Sequence, residues 1–499
     1  VRKLLAALAV VLLLAGCTAS PAPTEPPDWG VAKFYGQKVE WKSCEPAGMS
    51  CASILAPVDW AKPGGATFRL AVIRHVSHSP QRIGSLFVNP GGPGGSGYDF
   101  VRDGLNFFTD ATLRAHFDIV GWDPRGVGRT APLKCLSGPQ MDELIYGVPT
   151  QPVGSDAWLA SRVAPEKAFA AACKQNSGPL LGHVDAESNA RDMDLMRALV
   201  GDKKLDYLGF SYGTFFGAHY AKLFPKKVGR LVLDGPIDPS IPEPQDFVTQ
   251  MAGFESAYRA FLANCLAGTG CPFTGPVDDA LAQTTALADR VAAEHLQSQD
   301  GRTLTLATIG TGISYPLYSR DQWPTLEQAI SDLQQGHADS TFELADGYND
   351  RSSDGTYSEG PNVYVAALCL DGEYPDSLAG TAATQAAIQK AAPTIGTLIA
   401  YTDWDHVSID CQNWPYKNVL HAEKIAAKGA APIMVVGTTN DPATPYSGAQ
   451  SLAAQLDSGF LVTRKGEGHT AYASGNACID RTVDAYLTAG TVPKSDPDC

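Results

Sequence analysis

The pentapeptide Gly209-Phe210-Ser211-Tyr212-Gly213 has the form G-x-S-x-G. It lies between a strand-like run, Leu205 to Leu208, and a run of helical character, Thr214 to Phe224, which Pro225 stops. A serine at a sharp strand-to-helix turn carries its hydroxyl above the sheet, and glycines on either side keep the turn clear of its neighbours. The helix start adds free N–H groups and the positive end of the helix dipole beside Ser211. Gly217 stands where that helix must approach the sheet closely. A chain with 49 glycines can form such a pentapeptide by chance, so its placement, strand before and helix after, carries the meaning. The stretch reads as a nucleophile elbow.

Outward from it, Val39 to Trp41, Ala52 to Val58 and Thr67 to His75 read as antiparallel edge strands. Ile83 to Asn89, Phe117 to Trp122, Val228 to Leu233, Pro432 to Gly437 and Gly459 to Arg464 are short apolar runs of the buried-strand type. Ala186 to Leu199 is amphipathic, with Met193 and Met196 on the face expected to join the core. Ile83 to Asn89 opens into Asn89-Pro90-Gly91-Gly92-Pro93-Gly94-Gly95-Ser96-Gly97. No Lys-Ser/Thr follows, so this is not a P-loop. Beside a nucleophile elbow such a loop supplies an oxyanion N–H, assigned here to Gly92, with the N–H of Tyr212 as partner. The Gly92–Pro93 bond is expected to be cis.

A serine nucleophile needs a base and an acid behind it. Of ten histidines, His469 alone sits in a glycine-flanked loop, Gly466 to Thr470, after the last strand. Asp441 follows the penultimate strand, in Thr438 to Pro445. An acid there can accept the imidazole Nδ1–H and fix its tautomer. The order Ser211, Asp441, His469 is the one that an elbow serine uses. Asp234, at the end of an earlier strand, is a rival acid. Asp123 precedes the serine and is expected to pair with Arg125 or Arg129 instead.

The N-terminus is read apart from the fold. Residues 1–16 form a signal peptide, in which Arg2 and Lys3 precede an apolar run, Leu4 to Leu14, too short to span a bilayer. Leu14-Ala15-Gly16-Cys17 resembles a lipobox. The expectation is cleavage before Cys17, lipidation of its thiol and a tether over 17–30, leaving the exported protein anchored to the outer face of the cell membrane or in the cell envelope. Without Cys17, ten of eleven cysteines remain, an even number that suits an exported, disulfide-bonded protein. The number does not fix connectivity; nearest-neighbour pairing gives Cys44–Cys51, Cys135–Cys173, Cys265–Cys271, Cys369–Cys411 and Cys478–Cys499. No C-x-x-C occurs and no cysteine pair has histidines at ligand spacing, so no zinc site is read and no metal is expected. A formal charge of −15 argues against nucleic acid and a polybasic membrane surface. Oligomeric state leaves no mark in the sequence.

After Pro236 the strand–loop rhythm stops, and Phe247 to Leu266 and Val277 to Gln297 read as long helices. The division that follows is a core over 31–236, a helical cap over 237–430 and the rest of the core over 431–499. With these features in hand, the chain resembles the secreted tripeptidyl-aminopeptidase-like branch of the α/β-hydrolases, found in actinobacteria and related to proline iminopeptidases. The residues that carry the likeness are Asn89 to Gly97, Gly121 to Thr130, Gly209 to Gly213, Leu233 to Pro236, Cys369 to Asp371, Asn440 to Pro445 and Gly466 to His469. It implies an α/β-hydrolase fold, a mostly parallel sheet flanked by helices with a large helical cap. It further implies a serine exopeptidase using Ser211, Asp441 and His469. That triad needs no metal or organic cofactor, and a carboxylesterase or lipase, which would use the same triad, is the alternative. One departure is visible: Pro90 stands where proline iminopeptidases carry a histidine. A peptidase also needs an anion for the substrate's α-ammonium, and Asp371 in the cap is the candidate.

Overall fold

The computed structural model describes residues 30–399 and 403–499; the signal, Cys17 and nearly all of the tether lie outside them. Among the described residues nine strands form one sheet: β1 (Lys42–Cys44), β2 (Met49–Pro57), β3 (Thr67–His75), β4 (Gly84–Asn89), β5 (Phe117–Trp122), β6 (Leu205–Phe210), β7 (Val228–Asp234), β8 (Ile433–Asn440) and β9 (Gly459–Glu467). Their order is β1-β2-β3-β5-β4-β6-β7-β8-β9. The first three and β5 pair antiparallel, and every pair from β5/β4 to β8/β9 is parallel. β1 starts at Lys42 rather than the expected Val39, because the hairpin register sets Lys42 against Cys51.

Parallel strands need both faces covered, and period-2 alternation shows how. Leu86 and Val88 of β4 face a cluster with Val101, Phe108, Ile479 and Tyr486. Phe87 between them faces the opposite cluster, with Met193, Met196, Phe216 and Tyr220. The first cluster is covered by helices Gly97–Phe108 and Ala477–Ala489, the second by Ala186–Leu199 and Tyr212–Leu223. β4 lies between β5 and β6, so the chain leaves it in opposite directions. The crevice at such a reversal, outside the carboxyl ends of the strands, is where open α/β sheets place ligands.

The helices between β7 and β8 do not pack as one body. Phe247, Phe254, Tyr258, Phe261, Trp323 and Phe342 build a second apolar core. Helix Gly360–Asp371 instead sends Val363, Ala366 and Leu370 into the sheet's own core. Conversely, a segment assigned to the first part of the core belongs with the lid. Tyr146, ending helix Gly138–Tyr146, joins the second core and donates to Asp346 at 2.7 Å. Asp142 of the same helix accepts from Arg351 at 2.7 Å and Tyr357 at 2.6 Å. Helix Asp156–Ser177 packs on Asp403–Asn413. The lid therefore has two segments, one from each side of the elbow in sequence.

The ten described cysteines form five bridges, each between neighbours in sequence: Cys44–Cys51, Cys135–Cys173, Cys265–Cys271, Cys369–Cys411 and Cys478–Cys499. Cys369–Cys411 ties a sheet-packed helix to a lid helix across a sequence separation of 42. Chain-entropy loss from a loop of that length is worth about 4 kcal/mol. Changing both cysteines to serine should lower unfolding free energy in urea by roughly that amount; a loss under about 1 kcal/mol would mean that packing alone holds the two helices.

Candidate active site

The site is assembled where β4, β6, β7, β8 and β9 end. Ser211 follows β6 in a left-handed backbone conformation, φ 53° and ψ −126°, and immediately precedes helix Tyr212–Leu223. Such a conformation is strained for a non-glycine residue and persists only where its surroundings fix it. Here the Ser211 N–H donates to the Asp234 carbonyl at 2.9 Å, and its carbonyl accepts the Thr214 N–H at 2.8 Å. A Cβ at Gly213 would stand 2.7 Å from the Asn89 side-chain oxygen. That oxygen in turn accepts the Gly91 N–H at 2.9 Å. Gly91, at φ +95°, comes so near that a Cβ there would lie 2.6 Å from the Phe210 carbonyl and 2.8 Å from Ser211 Cβ. The glycine loop is thus pressed against the elbow. Gly92 follows at φ +116° and is joined to Pro93 by a cis bond. Tyr212 is the first helical residue, so its N–H has no helical carbonyl to bond.

His469 follows β9. Its Nδ1 lies 2.9 and 3.0 Å from the two Asp441 oxygens. Its Nε2 is buried and has no partner among the described residues. Asp441 is itself buried and is fixed by three backbone donors: Ala443 at 3.0 Å, Thr444 at 2.9 Å and Thr470 at 3.0 Å. Burial works against a charge on His469, but the Asp441 charge and hydrogen bond, with Asp234 behind, outweigh it and hold the imidazole above its ordinary pKa. From the lid, the Tyr318 carbonyl accepts the backbone N–H of His469 at 2.8 Å, and the Tyr318 ring meets the imidazole edge-on at 5.3 Å.

The other acids have different work. Asp234 accepts the N–H groups of Ala471 at 2.9 Å and Tyr472 at 2.8 Å. It therefore anchors the backbone beyond His469 rather than the imidazole. Burial pushes it up to about 7 in spite of those donors. Asp123 takes the Arg129 N–H at 2.8 Å and its guanidinium at 3.2 Å. Arg125 pairs with Asp192 at 2.7 Å, both fully buried.

Asp371 is misplaced for an α-ammonium. Its carboxylate is buried and accepts the Ala186 N–H at 2.9 Å and the Tyr212 hydroxyl. It stands behind the elbow helix, outside the cavity that Ser211 borders. The adjacent Cys369–Cys411 bridge fastens its helix to the lid, but the helix face carrying Asp371 turns to the core.

That cavity holds about 710 Å³, within the range of about 300–1,000 Å³ usual for small-ligand sites. Ser211, His469 and Gly92 lie at its wall together with Leu144 and Trp158 of the first lid segment and Tyr315, Tyr348 and Tyr364 of the second. The sequence reading missed the first group, since nothing local marks 138–177 as lid. It also missed Asp350, which borders the cavity and is the one carboxylate to do so among the described residues.

Residues 397–499 match the family model described as TAP-like protein. The chain is 34% identical over 485 residues to Serine protease Hip1 of Mycobacterium tuberculosis, covering 93% of this chain and 91% of that protein. It is 35% identical over 499 residues to a protein of the same organism named Carboxylesterase B, covering 97% and 94%. With Tripeptidyl aminopeptidase of Streptomyces lividans it shares 29% over 523 residues, covering 99% and 95%. Similarity of this extent spans core and lid alike, and the sheet order and elbow are those of the α/β-hydrolase fold. The chain is a serine hydrolase and belongs to the tripeptidyl-aminopeptidase-like family of α/β-hydrolases.

Proposed function

We propose that the protein is an envelope-anchored exopeptidase that removes short peptides or amino acids from peptide N-termini through an acyl-enzyme. The observation that carries the reading is the lidded cavity of about 710 Å³ over Ser211 and His469, which suits a short acyl portion and not a polypeptide threaded through. In this mechanism His469 Nε2 takes the Ser211 proton as the hydroxyl attacks the carbonyl. Asp441 holds Nδ1 protonated and stabilises the imidazolium. The N–H groups of Gly92 and Tyr212 receive the oxyanion, each donor contributing about 3 kcal/mol. His469 then gives its proton to the leaving amine, and water repeats the sequence on the acyl-enzyme.

Asp350 replaces Asp371 as the anchor for the α-ammonium. Its Oδ2 accepts the Ser358 hydroxyl at 2.9 Å and its carbonyl the Ser358 N–H at 3.1 Å, which leaves the second carboxylate oxygen for an incoming cation. The second reading, a carboxylesterase, has the name of one relative and apolar wall residues such as Met141, Leu144 and Ile145 in its favour. The anchor on Cys17 rests on the lipobox alone; no helix among the described residues is long and apolar enough to cross a membrane.

Ser211→Ala should abolish fluorophosphonate labelling, and Asp441→Asn should lower kcat by roughly 10⁴-fold without unfolding; undiminished labelling or turnover would overturn the assignment. With a raised His469 pKa the base stays protonated to higher pH, so kcat/KM should fall as pH drops through a midpoint above about 6.5, the ordinary imidazole value. On a panel of aminoacyl, tripeptidyl and p-nitrophenyl ester substrates, free-amine peptides should be preferred; turnover of esters only would favour the second reading. Asp350→Asn should raise KM for free-amine peptides by about 10-fold, a loss of about 1.4 kcal/mol, and leave N-acylated ones unchanged. Cys17→Ser should shift the protein out of the membrane fraction, and an unmodified native Cys17 by mass spectrometry would refute anchoring.

A further inference from the structure

Two lid helices carry a cluster whose half-buried histidine, His406, borders the cavity and which the hydrolytic reaction does not use. His406 and Asp410 stand four residues apart on Asp403–Asn413 and so share a face. Glu166 reaches them from Asp156–Ser177, 240 residues earlier in the chain. His406 Nδ1 lies 2.6 Å from a Glu166 oxygen and 3.2 Å from an Asp410 oxygen. One donor atom from each of the three falls within 4.8 Å of the others.

The acids in this cluster are not solvated surface charges. Glu166 and Asp410 have no exposed side-chain surface. Glu166 is satisfied, since its other oxygen receives Arg162 at 2.5 Å. Asp410 is not: both its oxygens are buried and neither receives a hydrogen bond among the described residues. His406 has its Nδ1 directed to Glu166, and Asp410 is aimed at the same nitrogen without a donor of its own. A buried carboxylate in that state is costly unless something positive meets it.

A divalent ion on Nδ1 would take the place of the proton that this nitrogen directs to Glu166.

We propose that Glu166, His406 and Asp410 form a divalent-metal site that fastens the two lid segments together, with zinc, which takes imidazole and carboxylate ligands, as the ion. Zinc–ligand lengths of about 2.0–2.2 Å set tetrahedral donors ~3.4 Å apart. The contact to Asp410, at 3.2 Å, is already near that spacing. The shorter one to Glu166 opens once the proton between them leaves. Sequence spacing could not reveal this site, because its donors come from both sides of the elbow and include no cysteine.

The test is metal binding by the full exported chain, prepared without a polyhistidine tag and stripped with EDTA. One Zn²⁺ per chain should bind at micromolar protein by mass-spectrometric metal analysis and calorimetry. Zn²⁺ should raise the melting temperature, and Co²⁺ should give visible d–d absorption. Asp410→Asn keeps the side-chain shape and has no donor to lose; it should weaken binding by more than the about 10–100-fold that changes outside a metal's ligand set cost. Glu166→Gln should do the same, and if it fails to fold because Arg162 is left unpaired, Asp410→Asn decides. No stoichiometric ion near neutral pH, or equal binding by Asp410→Asn, would overturn the site and leave a cluster that holds a proton instead.

Discussion

The left-handed backbone of Ser211 is the constraint on which the rest of the site depends. A residue held at φ 53° between a parallel strand and a helix relaxes unless neighbours hold it on every side. β7 contributes the Asp234 carbonyl from below. The loop after β4 closes from above, and only a residue without Cβ can stand at Gly91. The glycine run is therefore first a packing requirement of the elbow. Its presentation of N–H groups beside the serine follows from being forced that close.

Four buried aspartates surround this arrangement, and what each one does follows from the donors around it. Asp441 has three backbone N–H groups and an imidazole. Asp234 has backbone donors only, just beyond the histidine. Asp123 has an arginine, and Asp371 a helix start and a phenol. Strand order in the sequence was enough to separate Asp441 from Asp123, because the position of an acid relative to the serine is a topological fact. It could not place Asp371. An acid two residues after a cysteine in a helix looks the same in sequence whether the helix turns it to a cavity or to the core, and only packing against Ala186 and Tyr212 decides it.

The strands were legible because a two-sided parallel sheet writes itself as short apolar runs bounded by turns. Runs such as Phe117–Trp122 needed no more than that. The lid was legible as helices but not as a body. Its partition depends on contacts between residues far apart in the chain, such as Asp142 with Arg351 and Glu166 with His406. No local pattern announces that a helix before the elbow will pair with one that follows it by more than two hundred residues. The departure of Asp350 from notice has the same origin, since it lies in the turn just beyond helix Asp339–Tyr348, whose neighbours are set by the fold of the lid.

The Tyr318 carbonyl that accepts the His469 backbone N–H belongs to the lid, while the histidine belongs to the core. Any motion that lifts the turn bearing Tyr318 must break that bond and withdraw the aromatic wall from the imidazole. The general base is then held from one side only. Access and readiness are in this way opposed: the conformation that admits a molecule most freely is the one in which the base is least well aimed, and the catalyst is fully armed only with its contents enclosed.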